Sequence, residues 1–121
     1  MGTCVYIAGP IDGVADAAGR FRRAELWLLE QGHRPVNPMA GAPEGASWKE
    51  HMKRAIRLLL DCEAVFLLRG WADSPGAALE AGIARALGIT RYYEDPADLG
   101  RAGAADGVPV STKGDRGGER M

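Results

Sequence analysis

The 121 residues make one ordinary domain, 46% hydrophobic and 26% charged, the balance of a globular chain that folds in water. A formal charge of −1 excludes the electrostatic footprint of a nucleic-acid-polymer or acidic-membrane binder. No apolar run approaches the ~18 residues of a membrane span, and the start "MGTCVYIAGP" lacks the basic region of a secretory leader. Cys4 and Cys62 lack metal-ligand spacing; they read as isolated thiols in packing roles and place the chain in a reducing cytoplasm.

"TCVYIAGP" (3–10) is a short apolar, β-branched run closed by Gly9-Pro10, the pattern of a buried strand. A helix is expected from about Asp16 to Gln31, with Phe21, Ala24 and Leu28 inward, Arg20, Arg22 and Arg23 outward, and Gly32 as its stop. "HRPVNP" (33–38) is a short strand, limited by its prolines, and "MAGAPEGA" (39–46) is a loop. "SWKE" (47–50) is a capping box opening a helix whose Met52, Ala55, Ile56, Leu59 and Leu60 share one face. "AVFLL" (64–68) is a third buried strand. The helix carrying Glu80 follows, in which Leu79, Ile83 and Leu87 recur at core spacing, and "ITRYY" (89–93) is a fourth strand.

Strands alternating with helices through short connections predict an α/β domain over residues 1–99. It has a Rossmann- or flavodoxin-like parallel sheet of four to five strands with helices on both faces. Residues 100–121 are rich in Gly, Ala and charge and read as a tail that a neighbouring subunit could hold.

Ligands of such sheets bind beyond the carboxyl ends of the strands, and two segments suit that place. In "AGPIDG" (8–13), Gly9 and Gly13 let backbone approach a ligand; a plain strand-to-helix turn explains the same residues. In "DSPGA" (73–77), Ser74 is an N-cap and Pro75 suits the first helical position. The amides of Gly76 and Ala77 are then presented at the positive end of a helix, a competent phosphate site as well as an ordinary cap. Glu80 lies one turn on, and helical side chains lean toward the N-terminus, so its carboxylate points back at that mouth. A sugar bridging the two would put its anomeric carbon over the carboxylate, which suits a nucleophile or a stabiliser of an oxocarbenium-like transition state. Pairing with Arg85 or Arg91 is the plainer alternative.

Taken together, "VYIAGPIDG", a Trp-containing helix and "LLDCEAVFLLRGWADSPGAALEAGIARALG" resemble the nucleoside 2-deoxyribosyltransferase superfamily over about residues 3–93. Within it the likeness is to the small phage-type branch. The resemblance implies a flavodoxin-like fold, homo-oligomers with shared active sites and cleavage of a nucleoside N-glycosidic bond, with no metal or organic cofactor. It implies Glu80 as nucleophile and Gly9, Pro10, Ile11, Asp12 and Gly13 as the loop lining the sugar and base. Ser74, as in the 2′-deoxynucleoside 5′-monophosphate N-hydrolases, would hold the 5′-phosphate with the Gly76 amide, to which the helix-mouth reading adds that of Ala77. The family's helix-borne Asp, which orients the sugar and protonates the base, corresponds to Ala55. That departure leaves three explanations: protonation through Asp73, Asp12 or His51; a nucleotide-binding module with little turnover; or an Asp-to-Ala change made to trap a ligand. Hydrolysis and sugar transfer to a second base are both compatible with these residues. Trp48 and Trp71 flank the expected mouth and are candidates for stacking on a base or for ordinary packing.

Overall fold

The computed structural model describes residues 2–98 and 107–109. In chain order the elements are β1 (Cys4–Ala8), α1 (Ala17–Glu30), β2 (Arg34–Val36), α2 (Trp48–Leu60) and β3 (Ala64–Leu67). A short 3-10 turn (Trp71–Asp73), α3 (Pro75–Leu87), β4 (Thr90–Tyr93) and β5 (Gly107–Pro109) complete them. All the pairings are parallel, in the order β2-β1-β3-β4-β5. This is the flavodoxin-like order, in which the direction of strand addition reverses between β1 and β3. Within the segment expected to be a tail, Gly107–Pro109 extends the sheet beside β4; the other residues of 99–121 lie outside those described.

Two-residue periodicity divides each central strand between two cores. Cys4, Tyr6, Ala8, Val65, Leu67 and Tyr93 face Leu59 of α2 and Ala77, Ala81 and Ala84 of α3. Val5, Ile7, Ala64, Phe66 and Leu68 face Phe21, Ala24 and Leu28 of α1. With both faces covered, β1 and β3 need the near-continuous apolar runs seen in the sequence.

The expected leucine ladder of α3 is not its inner face. Leu79 is 44% and Leu87 60% exposed and only Ile83 of the three packs against the core, whereas Ala77, Glu80, Ala81 and Ala84 are buried. Small side chains let α3 lie close to the sheet, and that close approach carries Glu80 inward. On α2, Leu60 points outward although periodicity assigned it to the core, and Leu58 packs inward instead. The capping box is formed at both of its bonds: Ser47 Oγ accepts from Glu50 N, and Glu50 accepts from Ser47 N. Cys4 and Cys62 are buried neighbours with their Sγ atoms 2.9 Å apart, not isolated thiols. No helix among the described residues is long and apolar enough to cross a membrane.

Candidate active site

A cavity of about 380 Å³ opens at the carboxyl end of β1, between the loop that follows it and the α3 mouth. Its floor is Tyr6 on β1 and Glu80 on α3. The loop after β1 contributes Gly9 to Asp12, α2 presents Trp48, His51, Met52, Arg54 and Ala55, and the α3 mouth adds Asp73 to Ala77.

Glu80 is only 5% exposed, and Tyr6 Oη donates to its Oε2 at 2.6 Å. Burial pushes the carboxyl up to about 7, and the Tyr6 hydrogen bond opposes that rise. The Tyr6 hydroxyl is itself pushed far above the phenolic range, first by burial and then by the adjacent Glu80 carboxylate. The pairing with Arg85 or Arg91 weighed from the sequence thus gives way to a tyrosine partner. Glu80 shares one cavity with the helix mouth and is not turned into solvent.

At that mouth Ser74 caps α3, its Oγ accepting from Ala77 N at 3.3 Å. The Ala77 amide is therefore engaged within the cap, contrary to expectation, and Gly76 is the residue left to offer its amide with the Ser74 hydroxyl. A Cβ on Gly76 would meet Met52 Sδ at 3.0 Å, so glycine keeps α2 and α3 close beside the mouth.

Of the first loop, Gly9, Pro10, Ile11 and Asp12 line the cavity, whereas Gly13 does not. Gly13 sits in an exposed turn at φ +74°, where a backbone requirement explains the residue without a ligand. Gly9 also has a packing reason: an added Cβ would lie 2.8 Å from Leu68 Cβ. Asp73 ends the 3-10 turn at the cavity edge, and Ala55 lines the α2 wall while packing on the core. Trp48 lines the cavity with 55% of its surface exposed; Trp71 is buried against Tyr93 and does not line it.

Two residues were not anticipated. Tyr6 was hidden in an apolar strand run, although a buried phenol and a buried carboxylate each demand a partner. Arg54 Nη1 and Nη2 donate to Pro38 O at 2.8 Å and Ala40 O at 3.0 Å, binding the β2–α2 loop to the cavity wall. Among the described residues no group of three or more His, Cys, Asp or Glu side chains is gathered as metal ligands would be.

Residues 3–93 match the family model described as a domain of unknown function, DUF4406. The chain belongs to that family. No curated protein matches it. Among solved structures, the DUF4406 chain is similar to a 2-deoxyribosyltransferase from the psychrotolerant Bacillus psychrosaccharolyticus, with TM-score 0.60 and 20% identity over 74% of this chain and 70% of that one. A 2-desoxiribosyltransferase from Leishmania mexicana gives 0.59 and 20% over 78% and 66%, and a conserved protein from Enterococcus faecalis V583 gives 0.61 and 20% over 93% and 92%. At such identity the likeness is one of fold: this α/β sheet is the flavodoxin-like fold of those deoxyribosyltransferases.

Proposed function

We propose that this protein cleaves the N-glycosidic bond of 2′-deoxynucleoside 5′-monophosphates, with Glu80 as nucleophile. The observation carrying the reading is that a buried carboxylate, held by Tyr6 and raised to about 7, opens into the same cavity as the Ser74–Gly76 helix mouth. The shared fold with proteins named 2-deoxyribosyltransferases supports it.

The 5′-phosphate rests on the Ser74 hydroxyl, the Gly76 amide and the positive end of α3. The sugar then spans toward Glu80, one turn along. The ionised carboxylate attacks C1′, the bond to the base breaks with its electron pair going to the base nitrogen, and a glycosyl-ester intermediate forms. Water attacks C1′ in turn, releasing deoxyribose 5-phosphate and the free carboxylate. Tyr6 holds one carboxylate oxygen, which fixes the rotamer and leaves the other to react.

The second reading is sugar transfer to an incoming base, favoured by the names of the two fold relatives. Both readings are tested by chromatography of wild-type protein incubated with each deoxynucleoside and each 5′-monophosphate, with and without a second base. Free base from the monophosphates supports hydrolysis, and a new nucleoside supports transfer. Retained binding with no base released from any of them would make the protein a nucleotide-binding module and overturn the proposal.

A further inference from the structure

A base leaves C1′ as a poor leaving group unless it gains a proton, and few cavity side chains can supply one. Tyr6 already donates its proton to Glu80. Arg54 uses both terminal nitrogens on loop carbonyls, and a guanidinium does not release protons in this pH range. Ser74 caps α3, and an indole such as Trp48 is no acid. Three groups remain: Asp12, Asp73 and His51.

Position separates them. Successive α2 residues fall on two adjacent rows of the helix. One row, Trp48 and Met52, abuts the α3 mouth, with Met52 Sδ 3.0 Å and Trp48 Nε1 4.0 Å from where a Gly76 Cβ would be. The other row, His51 and Ala55, lines the same cavity one position away, and the neighbouring Arg54 reaches the Pro38 and Ala40 carbonyls. Because the first row closes on Gly76, a base carried away from a phosphate held there has the second row as the α2 wall left to meet. Asp73 immediately precedes Ser74, at the phosphate end. Asp12 lines the cavity from the exposed β1–α1 loop, not from the helix wall that carries His51.

We propose that His51 carries the proton to and from the reaction, a role that rests on the N-glycosidic reading above. As imidazolium it donates to the base nitrogen while the C1′–N bond breaks, leaving neutral imidazole. In the second step the neutral ring takes a proton from the attacking water as the C1′–O bond to Glu80 breaks. The imidazolium is restored, and the sum is nucleotide plus water giving base plus sugar phosphate. Imidazole suits both halves because a ring nitrogen donates a proton in the imidazolium and accepts one in the neutral ring.

The test uses leaving groups that differ in their need for a proton. Wild type, His51→Ala and His51→Gln are assayed on 2′-deoxyguanosine 5′-monophosphate and on its N7-methylated form, whose cationic base departs without protonation. Both variants should lose about 10²–10⁴-fold in the single-turnover rate of base release on the ordinary nucleotide, and that loss should shrink below about tenfold on the methylated one, because base release precedes the water step in which His51 acts on both substrates. Equal losses on the two substrates, no loss on either, or a wild type active on the methylated nucleotide only would overturn the role of His51 alone. A wild type that frees base from neither would overturn the glycosidic reading and this role with it.

Discussion

Replacing Glu80 with glutamine should make the protein more stable, and the gain should depend on pH. The carboxyl is shifted from its ordinary value of 4.5 to about 7 by burial. At about 1.36 kcal/mol for each tenfold change in proton affinity, ionising it in place costs about 3 kcal/mol. The sign follows from the proton count. Between these two values the folded chain keeps a proton that the unfolded chain has released, so wild type loses stability as pH rises through the window. Below the lower value the group contributes no difference, and above the upper one the loss is complete. In Glu80→Gln the new amide has the shape of the protonated acid, can still accept from Tyr6 Oη, and does not titrate. Urea unfolding of both proteins from about pH 4 to about pH 8 reads the difference directly. The variant should gain up to about 3 kcal/mol relative to wild type across that range while losing base release. A difference that stays flat would show that Glu80 is not ionised against a desolvation cost, and the argument from burial would be wrong.

Other outcomes follow from the same contacts. Tyr6→Phe removes the hydrogen bond that lowers the Glu80 pKa, so the acidic limb of the pH–rate profile should move to higher pH by about one unit; an unmoved limb would refute that contact's role. Ser74→Ala should lose about 1 kcal/mol of stability with the α3 cap and raise KM for monophosphates more than for nucleosides. An equal effect on both substrates would deny the phosphate cradle. Gly9→Ala should cost about 1–3 kcal/mol in thermal unfolding because the new methyl meets Leu68, and an unchanged Tm would show that the loop gives way freely.

The alternation of strand runs, caps and stop glycines made the sheet and its helices legible, since each depends on neighbours along the chain. Glu80 and Ser74 were legible for the same reason: a helix start and a one-turn spacing are local facts. The inner face of α3 was legible only at Ile83, because Leu79 and Leu87 outweigh alanines in any hydrophobic count, while the packing depends on how near the helix lies to the sheet. Tyr6 lies 74 positions from Glu80, and only the fold brings the two together. Arg54 escaped notice because its partners are main-chain carbonyls, which carry no mark in a sequence. Gly9 and Gly13 were recognised as special, but Leu68 and a left-handed turn supply reasons for them that need no ligand.

The central claim is that the Glu80 carboxylate bonds to the sugar during turnover. Wild-type protein quenched in acid while processing a deoxynucleoside 5′-monophosphate, digested and analysed by mass spectrometry should show a sugar phosphate esterified to the peptide containing Glu80. Base release undiminished in Glu80→Gln, or an adduct on another residue, would contradict it.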